Sequence, residues 1–366
     1  MSAEGETSNT TISEYGLSAT TGYNRFNPHP RCKFIHYSDY KPFYLNTFYQ
    51  ASNYVTSAAA IVGVVCNTLA YVALSSSNHR ANTSILYLKY LAVFDVFSCA
   101  SYLVFNFQKE LYNHTLLLDM SSKINHAMKR ASVHTQNSML FFTKLNDLIV
   151  VIIAIDRYIV VCWPLRAKSI VTNKRARVKI TVLFLVTFAC GWTNWVRYTT
   201  RRSTNPCTGH ERWTQKLTPL AKNLYVKYYD LFVTRTIMTI VPTVLLSCST
   251  TRLIFTLKKA RKQRQNLSGT SFKKGTSDER SLTLTLILIS CVFLLKQVFS
   301  LQASVSNLVV LYTGTPGRTK ATPYLNGFRN LSRMILATFN FVIYCASRRR
   351  FRHKVELILC AACKKM

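Results

Sequence analysis

The sequence predicts an all-α membrane protein: a seven-transmembrane helix bundle with a short C-terminal amphipathic interfacial helix. Two observations support this class. Hydrophobic residues make up 49% of the 366 residues and charged residues only 17%, which is typical of membrane proteins rather than soluble ones. The charges are also concentrated in the connections between long apolar windows. A helix needs about 20 apolar residues to cross the hydrocarbon core. Seven windows approach that length, at roughly 51–75, 84–106, 131–162, 176–198, 225–257, 280–312 and 326–347.

The windows are unequal in quality. Arg333 interrupts the seventh, and the third and sixth also carry charges, so hydropathy alone supports five or six of them. After the seventh window, residues 348–359 mix basic and apolar side chains, which suits a helix lying in the membrane interface. The predicted organisation is an extracellular N-terminal segment at 1–50, the membrane domain at 51–347, and an amphipathic helix with a cytoplasmic tail at 348–366.

The net charge of +33 limits the classes of partner. The Lys and Arg residues bracket the apolar windows instead of forming one stripe, which argues against nucleic-acid binding and favours contact with anionic membrane lipids. The basic loops after windows one, three and five should be cytoplasmic, which places the N-terminus outside the plasma membrane. Asn9 and Asn113 then head sequons on the outer side and predict N-glycosylation. Asn82 and Asn266 head sequons on the inner side, so sequons alone do not decide orientation.

The eleven cysteines form no set of CxxC pairs typical of a zinc or redox site, so no metal site is predicted. Most lie inside apolar windows, where small buried side chains are expected. Cys360 and Cys363 follow the amphipathic stretch; palmitoylation is one interpretation and unmodified thiols are the other. The sequence shows no phosphate-binding glycine loop, metal-spaced histidine cluster or nucleophile–base pair, and the chain is not expected to be an enzyme.

Several charged residues fall inside the predicted spans, where an unpaired charge is costly. They are Lys144, Arg235, Lys296, Arg333, Asp95, Asp147 and Asp230. Lys144 and Asp147 are three residues apart on one helix face and can neutralise each other. A cavity holding Arg235, Lys296 and Arg333 would bind an anionic ligand group such as a carboxylate. Structural pairing of these cations with carbonyls or with Asp147 is the alternative.

The triplet Asp156-Arg157-Tyr158 directly follows an apolar run at 148–155 and precedes a basic stretch at 166–179. A fixed cation at the mouth of a membrane-length helix costs free energy unless it has a role. The position indicates a cytoplasmic boundary and suggests a receptor that switches on its inner face.

Further short motifs occur in a fixed order along the windows. They are Gly63-Val-Val-Cys-Asn67, Leu91-Ala-Val-Phe-Asp95, Val161-Cys-Trp-Pro-Leu165, Pro242 and Asn340-Phe-Val-Ile-Tyr344. Together with the triplet, this set resembles the rhodopsin-like (class A) G-protein-coupled receptors over most of the chain. The Asn-Phe-x-x-Tyr variant and the segment Phe293–Gln297 resemble in particular the invertebrate FMRFamide-type neuropeptide receptors.

The resemblance implies an activation switch. Its residues would be Asp156, Arg157, Tyr158, Asn340 and Tyr344. In the resting family state the arginine, here Arg157, pairs with its neighbouring acid, Asp156. Its release lets the inner ends of helices three and six part for a heterotrimeric G protein.

The resemblance also implies a polar cluster around Asp95 that holds a sodium ion in the family and favours the resting state. Its residues would be Asn67, Asp95, Asn146 and Asn340. A water-filled polar network without an ion is the alternative, and no other cofactor is expected.

An extracellular ligand is implied as well, entering between the outer helix ends. The pocket residues would be Met139, Arg235, Lys296, Gln297 and Arg333. Met139 stands where the amine receptors carry an aspartate, so an amine ligand is not expected. The basic outer loops favour an acidic peptide, and the predicted function is that of a neuropeptide receptor. A signalling-deficient receptor-like protein and a polytopic transporter are the alternatives.

Two departures from the family pattern concern the outer half. Ser132 stands where the family carries the outer cysteine of helix three, so the usual tether to the second outer loop cannot form. Cys207 in that loop lacks this partner, and a bridge to Cys32 is expected, with two free thiols as the alternative. The helix-six motif Cys-Trp-x-Pro becomes Lys296-Gln-Val-Phe299, and without the proline the helix loses its usual kink.

Overall fold

The computed structural model describes residues 43–76, 83–117, 122–204, 211–266, 285–298, 300–301, 322–347 and 349–363. Most of this described chain is helical, which confirms the predicted class. The helices are α1 (Phe43–Ser75), α2 (Thr83–Leu117), α3 (Ser122–Cys162), α4 (Pro164–Ile170), α5 (Asn173–Val196), α6 (Pro219–Lys222), α7 (Leu224–Tyr229), α8 (Met238–Asn266), α9 (Thr285–Val298), α10 (Thr322–Ser347) and α11 (Arg349–Cys363). A π-helical segment, Asp230–Ile237, joins α7 to α8.

The seven predicted windows correspond to α1, α2, α3, α5, the column from α7 to α8, α9 and α10. Four described stretches are long and apolar enough to cross a membrane, by length and composition. They are Gln50–Ser75, Thr83–Tyr112, Asn173–Val196 and Leu224–Lys259. Thr285–Val298 is a shorter apolar helix. α3 is not in this set because it carries charged residues, but two of them, Asp147 and Asp156, are buried inside the bundle.

The core of the bundle lies where α2, α3, α9 and α10 meet. Its most buried apolar side chains include Leu88, Leu91, Leu145, Ile149 and Leu286. α1 packs against α2 and α10, while α5 and α8 pack against α3. On the outside of α5, large apolar side chains such as Phe184, Leu185 and Phe188 are exposed. Lipid tails are as apolar as these side chains, so the surface is suited to a bilayer.

The connection between α5 and α6 contains a β-hairpin, which the all-α prediction did not include. β1 (Tyr198–Thr204) pairs antiparallel with β2 (Glu211–Leu217). The strands contain Thr, Tyr and Trp, which favour strands, and this composition is the signal that could have identified the hairpin. β2 lies beside the beginning of α3, about 45 Å from Arg157 at a helical rise of 1.5 Å per residue. The two ends of the bundle are named below the hairpin end and the Arg157 end.

Gly63 allows α1 to approach α2 closely. A Cβ atom at this position would lie 2.8 Å from Cys99 Sγ. We expect Gly63→Ala to lower the free energy of unfolding by about 1–3 kcal/mol through overpacking, seen as a lower midpoint of thermal unfolding in detergent. Cys99→Ala in the same chain should recover part of the loss. Gly191→Ala is the control, because its Cβ would meet Asn194 Nδ2 only at 3.8 Å. A wild-type midpoint for Gly63→Ala would contradict this prediction.

Candidate ligand-binding and switching sites

Asp95 lies at the centre of a buried polar cluster that joins three helices. Its Oδ1 accepts a hydrogen bond from Asn146 Nδ2 of α3 at 2.7 Å. Its Oδ2 accepts a hydrogen bond from Asn340 Nδ2 of α10 at 2.8 Å. All three side chains are buried. The structure therefore brings together three of the four residues predicted for this cluster and ties α2 to α3 and α10.

Asn67, the fourth residue, makes different contacts. Its Nδ2 donates hydrogen bonds to the carbonyl oxygens of Gly63 at 2.8 Å and of Ala337 at 3.1 Å. Its Oδ1 is buried without a hydrogen-bond partner among the described residues. The prediction places Asn67 around Asp95. Its hydrogen bonds instead join α1 to α10.

Two lysines, Lys296 and the half-buried Lys144, pair with Asp147 on α3. Lys296 Nζ of α9 lies 2.5 Å from Asp147 Oδ1, and Lys144 Nζ lies 3.8 Å from Asp147 Oδ2. Lys144 also donates hydrogen bonds to Thr239 Oγ1 at 2.8 Å and to the Met238 carbonyl at 3.3 Å, both on α8. For Lys296, the structure shows the structural pairing with Asp147 that the sequence left open as an alternative. This network joins α3 to α8 and α9.

A small cavity lies between the polar cluster and these cations. The charged and amide residues that line it are Asp95, Asn146, Lys296, Arg333 and Asn340. Its volume is ≈ 40 Å³, which is room for roughly three water molecules and too small for a peptide or a nucleoside. Arg333 Nε is buried without a hydrogen-bond partner in the described part of the chain. The structure thus brings two of the predicted ligand-binding cations, Lys296 and Arg333, to one cavity.

The other residues predicted for the pocket lie elsewhere. Met139 and Gln297 are buried but do not line this cavity. Both polar atoms of the Gln297 side chain lack a hydrogen-bond partner among the described residues. Arg235 belongs to the π-helical segment, and its side chain lies outside the described part of the chain.

At the Arg157 end, two neighbouring helices hold Asp156. Tyr87 Oη of α2 donates a hydrogen bond to Asp156 Oδ2 at 2.8 Å. Lys179 Nζ of α5 lies 2.6 Å from Asp156 Oδ1. Asp156 is 4% exposed and Arg157 is 9% exposed. The sequence singled out neither Tyr87 nor Lys179, since the lysine is one of several cations in a basic stretch.

Three other residues of the predicted switch make contacts that do not involve Asp156. The Tyr158 ring packs edge-on against Trp163 at 5.5 Å. The Tyr344 ring packs edge-on against Phe351 of α11 at 5.6 Å, so it links α10 to the amphipathic helix. Asn340 belongs to the Asp95 cluster. The predicted switch is therefore not one cluster: Asp156 and Tyr158 lie at the Arg157 end, Tyr344 beside α11, and Asn340 in the Asp95 cluster.

Comparison with known families decides the class of the protein. Residues 66–344 match the family model described as 7 transmembrane receptor (rhodopsin family). The chain belongs to this receptor family. The receptor is 28% identical over 244 residues to human adenosine receptor A2b, an alignment that covers 61% of this chain and 69% of the relative. Over 75 residues it is 36% identical to adenosine receptor A2b of Canis lupus familiaris, covering 20% and 22% of the two chains. These comparisons do not confirm the finer resemblance to FMRFamide-type receptors.

A sodium ion is the group that the family resemblance implies beside Asp95 of the receptor. One buried atom there suits a cation, because Asn146 Oδ1 has no hydrogen-bond partner among the described residues. The charges do not suit it. Asp95 attracts a cation, but Asp95 and Asp147 together face three cations, Lys144, Lys296 and Arg333. At a separation of about 5 Å and an effective dielectric constant near 20, the one positive charge in excess repels sodium by roughly 3 kcal/mol. The residues present therefore do not fit a sodium ion.

The hairpin end of the receptor has a non-covalent attachment where the family has its tether. Ser132 Oγ donates a hydrogen bond to the Lys129 carbonyl within α3 at 2.8 Å. Tyr112 Oη of α2 donates to the Trp213 carbonyl at 2.9 Å and accepts from the Trp213 N–H at 3.1 Å. The Trp213 ring also lies 4.1 Å from the ring of His126 on α3. These contacts fasten β2 to α2 and α3.

Several predicted modification sites lie outside the described part of the receptor. They are Asn9, Cys32 and Cys207 together with the side chains of Asn113 and Cys363. Phe299, which stands at the position of the helix-six proline, is also outside it. Cys360 is an exposed thiol on α11. Glycosylation, the disulfide and palmitoylation therefore stay predictions.

Proposed function

We propose that the receptor transmits binding of an extracellular ligand at the hairpin end to a heterotrimeric G protein at the Arg157 end, in the plasma membrane. One observation carries this proposal: the contacts that close the Arg157 end around Asp156. Tyr87 and Lys179 hold its carboxylate from α2 and α5. Activation would break these contacts and part the inner ends of α3 and α9, which opens a site for the G protein.

In this proposal the N-terminus is extracellular and the Arg157 end is cytoplasmic. The basic loops that follow α1, α3 and α8 in the chain support it through the positive-inside rule. Mass spectrometry of the receptor purified from animal cells provides the test. Glycans on Asn9 and none on Asn266 are expected, and the reverse pattern would overturn the orientation.

The first candidate ligand is a peptide with an acidic group. Exposed cations are numerous at the hairpin end, including Lys123, Arg130, Arg201, Lys216 and Lys222. A surface of one sign of charge attracts ligands of the opposite sign and accelerates their association. The peptide itself would bind above the cavity, because ≈ 40 Å³ holds no more than a small group.

The second candidate ligand is adenosine or a related nucleoside. The similarity to a relative named adenosine receptor A2b favours it, over 61% of this chain. A nucleoside is a small molecule and would need a pocket of about 300 Å³ or more. Such a pocket would form in the outer half of the bundle, toward the hairpin end.

Arg157→Ala is expected to abolish the response to ligand, because Arg157 is the side chain proposed to be released toward the G protein. Cells that express the receptor are exposed to acidic peptides and to nucleosides, and calcium and cyclic AMP are recorded. We expect a fall of about tenfold or more in the potency or maximum of the response, corresponding to at least ~1.4 kcal/mol. Arg166→Ala, an exposed arginine of α4 at the same end, is the matched control.

Surface labelling must show equal amounts of wild type and variants. A response that Arg157→Ala leaves unchanged would refute the switch. A wild-type receptor that responds to neither ligand class would favour the signalling-deficient alternative. The transporter alternative predicts uptake of a labelled solute without any change in second messengers.

A further inference from the structure

The cluster around the small cavity contains more cations than anions. The cations are Lys144, Lys296 and Arg333, and the anions are Asp95 and Asp147. Asp147 lies within ion-pair distance of both lysines. Asp95 accepts hydrogen bonds from two amides. An unbalanced charge inside a membrane protein is costly and marks a functional site.

Arg333 is the third cation, and it shares the charge of Asp147 with the two lysines. It lines the cavity, and its Nε is buried with no hydrogen-bond partner among the described residues. A guanidinium has five N–H donors and no acceptor, so only an acceptor can satisfy it. A buried donor without a partner costs about 1–3 kcal/mol. An anion in the cavity would supply the acceptor and the missing negative charge together.

We infer that the cavity beside Asp95 binds a small anion, either chloride or a carboxylate group, in place of the sodium ion implied by the family resemblance. Arg333 is the principal donor, and Lys296 adds positive charge from α9. Asn146 and Asn340 each use one amide hydrogen on Asp95 and have a second to offer. The volume of ≈ 40 Å³ admits chloride or a carboxylate and excludes a larger organic anion.

Asp95 is the group that opposes an anion. Both of its oxygens accept amide hydrogens, which disperses part of its negative charge. Arg333 and Lys296 line the same cavity. Counted with the Asp147 ion pairs, the cluster has three cations against two carboxylates, and the one positive charge in excess favours an anion.

Thermal unfolding of the purified full chain in detergent tests the inference without any receptor ligand. The salts are sodium chloride, N-methylglucamine chloride, sodium gluconate, N-methylglucamine gluconate and sodium acetate, at equal concentration. Both chloride salts should raise the unfolding midpoint by about 2–4 °C over both gluconate salts, whichever cation is present. Stabilisation by acetate as well as chloride identifies a site that accepts a carboxylate, and stabilisation by chloride alone identifies a halide site.

Variants connect the salt effect to the cavity. Arg333→Gln should lose the chloride effect, while Asp95→Asn should keep or enlarge it. Arg252→Gln, an exposed arginine on α8, is the matched control and should behave as wild type. If Arg333→Gln does not fold, the width of the ³⁵Cl NMR line decides on the wild-type receptor, because bound chloride broadens it and excess bromide should reverse the broadening.

Three outcomes would overturn the inference. One is stabilisation that follows sodium and disappears in Asp95→Asn, which is the behaviour of a sodium site. Another is a chloride effect that persists in Arg333→Gln, which indicates weak binding at the surface. The third is equal stability in all five salts together with an unbroadened chloride line. None of these depends on the proposed signalling function, which could fail or hold separately.

Discussion

Asp147→Asn is expected to be among the most destabilising single substitutions in this receptor. Asp147 balances Lys296 at 2.5 Å and Lys144 at 3.8 Å, and an amide would leave both lysines without that negative charge. Removing one partner of a buried ion pair costs about 3–5 kcal/mol. The midpoint of thermal unfolding in detergent should fall by about 10 °C, and the amount of receptor at the cell surface should fall with it.

The structure supplies graded controls for this substitution. Lys296→Met should cost less than Asp147→Asn, because Asp147 keeps Lys144. Asp147→Leu combined with Lys296→Met should recover most of the loss, since apolar residues can replace a buried ion pair at little cost. Asp230→Asn breaks the ion pair with Arg197, whose side chain is 24% exposed and reaches water. If Asp147→Asn costs no more than Asp230→Asn, the central role assigned to Asp147 is wrong.

Asp156→Asn is expected to raise signalling in the absence of ligand. The substitution removes the charge that Tyr87 and Lys179 contact at 2.8 and 2.6 Å, and it also removes the acid beside Arg157. Hydrogen bonds to a charged group contribute about 1.5–3 kcal/mol. Losing ~1.4 kcal/mol from the resting state alone multiplies the active population by about ten while that population is small. Basal cyclic AMP and calcium, normalised to surface receptor, measure the effect.

Each contact should carry part of this effect. Tyr87→Phe and Lys179→Met should each raise basal signalling less than Asp156→Asn does. Lys174→Met, an exposed lysine on the same helix as Lys179, is the matched control and should leave it unchanged. Asp230→Asn controls for the loss of a carboxylate far from the Arg157 end. Basal signalling at the wild-type level in Asp156→Asn would contradict the proposed role of these contacts.

The Asp95 cluster could largely be anticipated from the sequence. The resemblance to the rhodopsin-like receptors implies that Asp95, Asn146 and Asn340 lie together, and a buried carboxylate in a membrane interior needs polar partners. Asn67 shows the limit of this reasoning. An amide can bond to side chains or to backbone, and only the packing of α1 on α10 turns it toward the Ala337 carbonyl.

The charge pairing could not be derived in the same way. Lys296 and Asp147 are separated by 149 residues, so their contact depends on the rotation of α9 relative to α3, which no local pattern encodes. Lys144 is nearer to Asp147 in the sequence, yet it lies farther from that carboxylate than Lys296 does. In the sequence, Lys179 is one of several cations in the basic stretch at 166–179, and only the structure shows its ion pair with Asp156.

The contacts of Trp213 in β2 with α2 and α3 determine how long the hairpin covers the hairpin end of the bundle. Two hydrogen bonds between Tyr112 and Trp213 contribute about 1 kcal/mol each, and the ring contact with His126 adds about 1 kcal/mol. Breaking these contacts alone, at a cost of ~3 kcal/mol, leaves them open in roughly one molecule in 150 at any moment. A disulfide would hold until it was chemically reduced. The contacts of Tyr112 and His126 with Trp213 open and close reversibly, and temperature sets how often they do so; the predicted Cys32–Cys207 bridge would add a link that responds to the redox state of the surroundings.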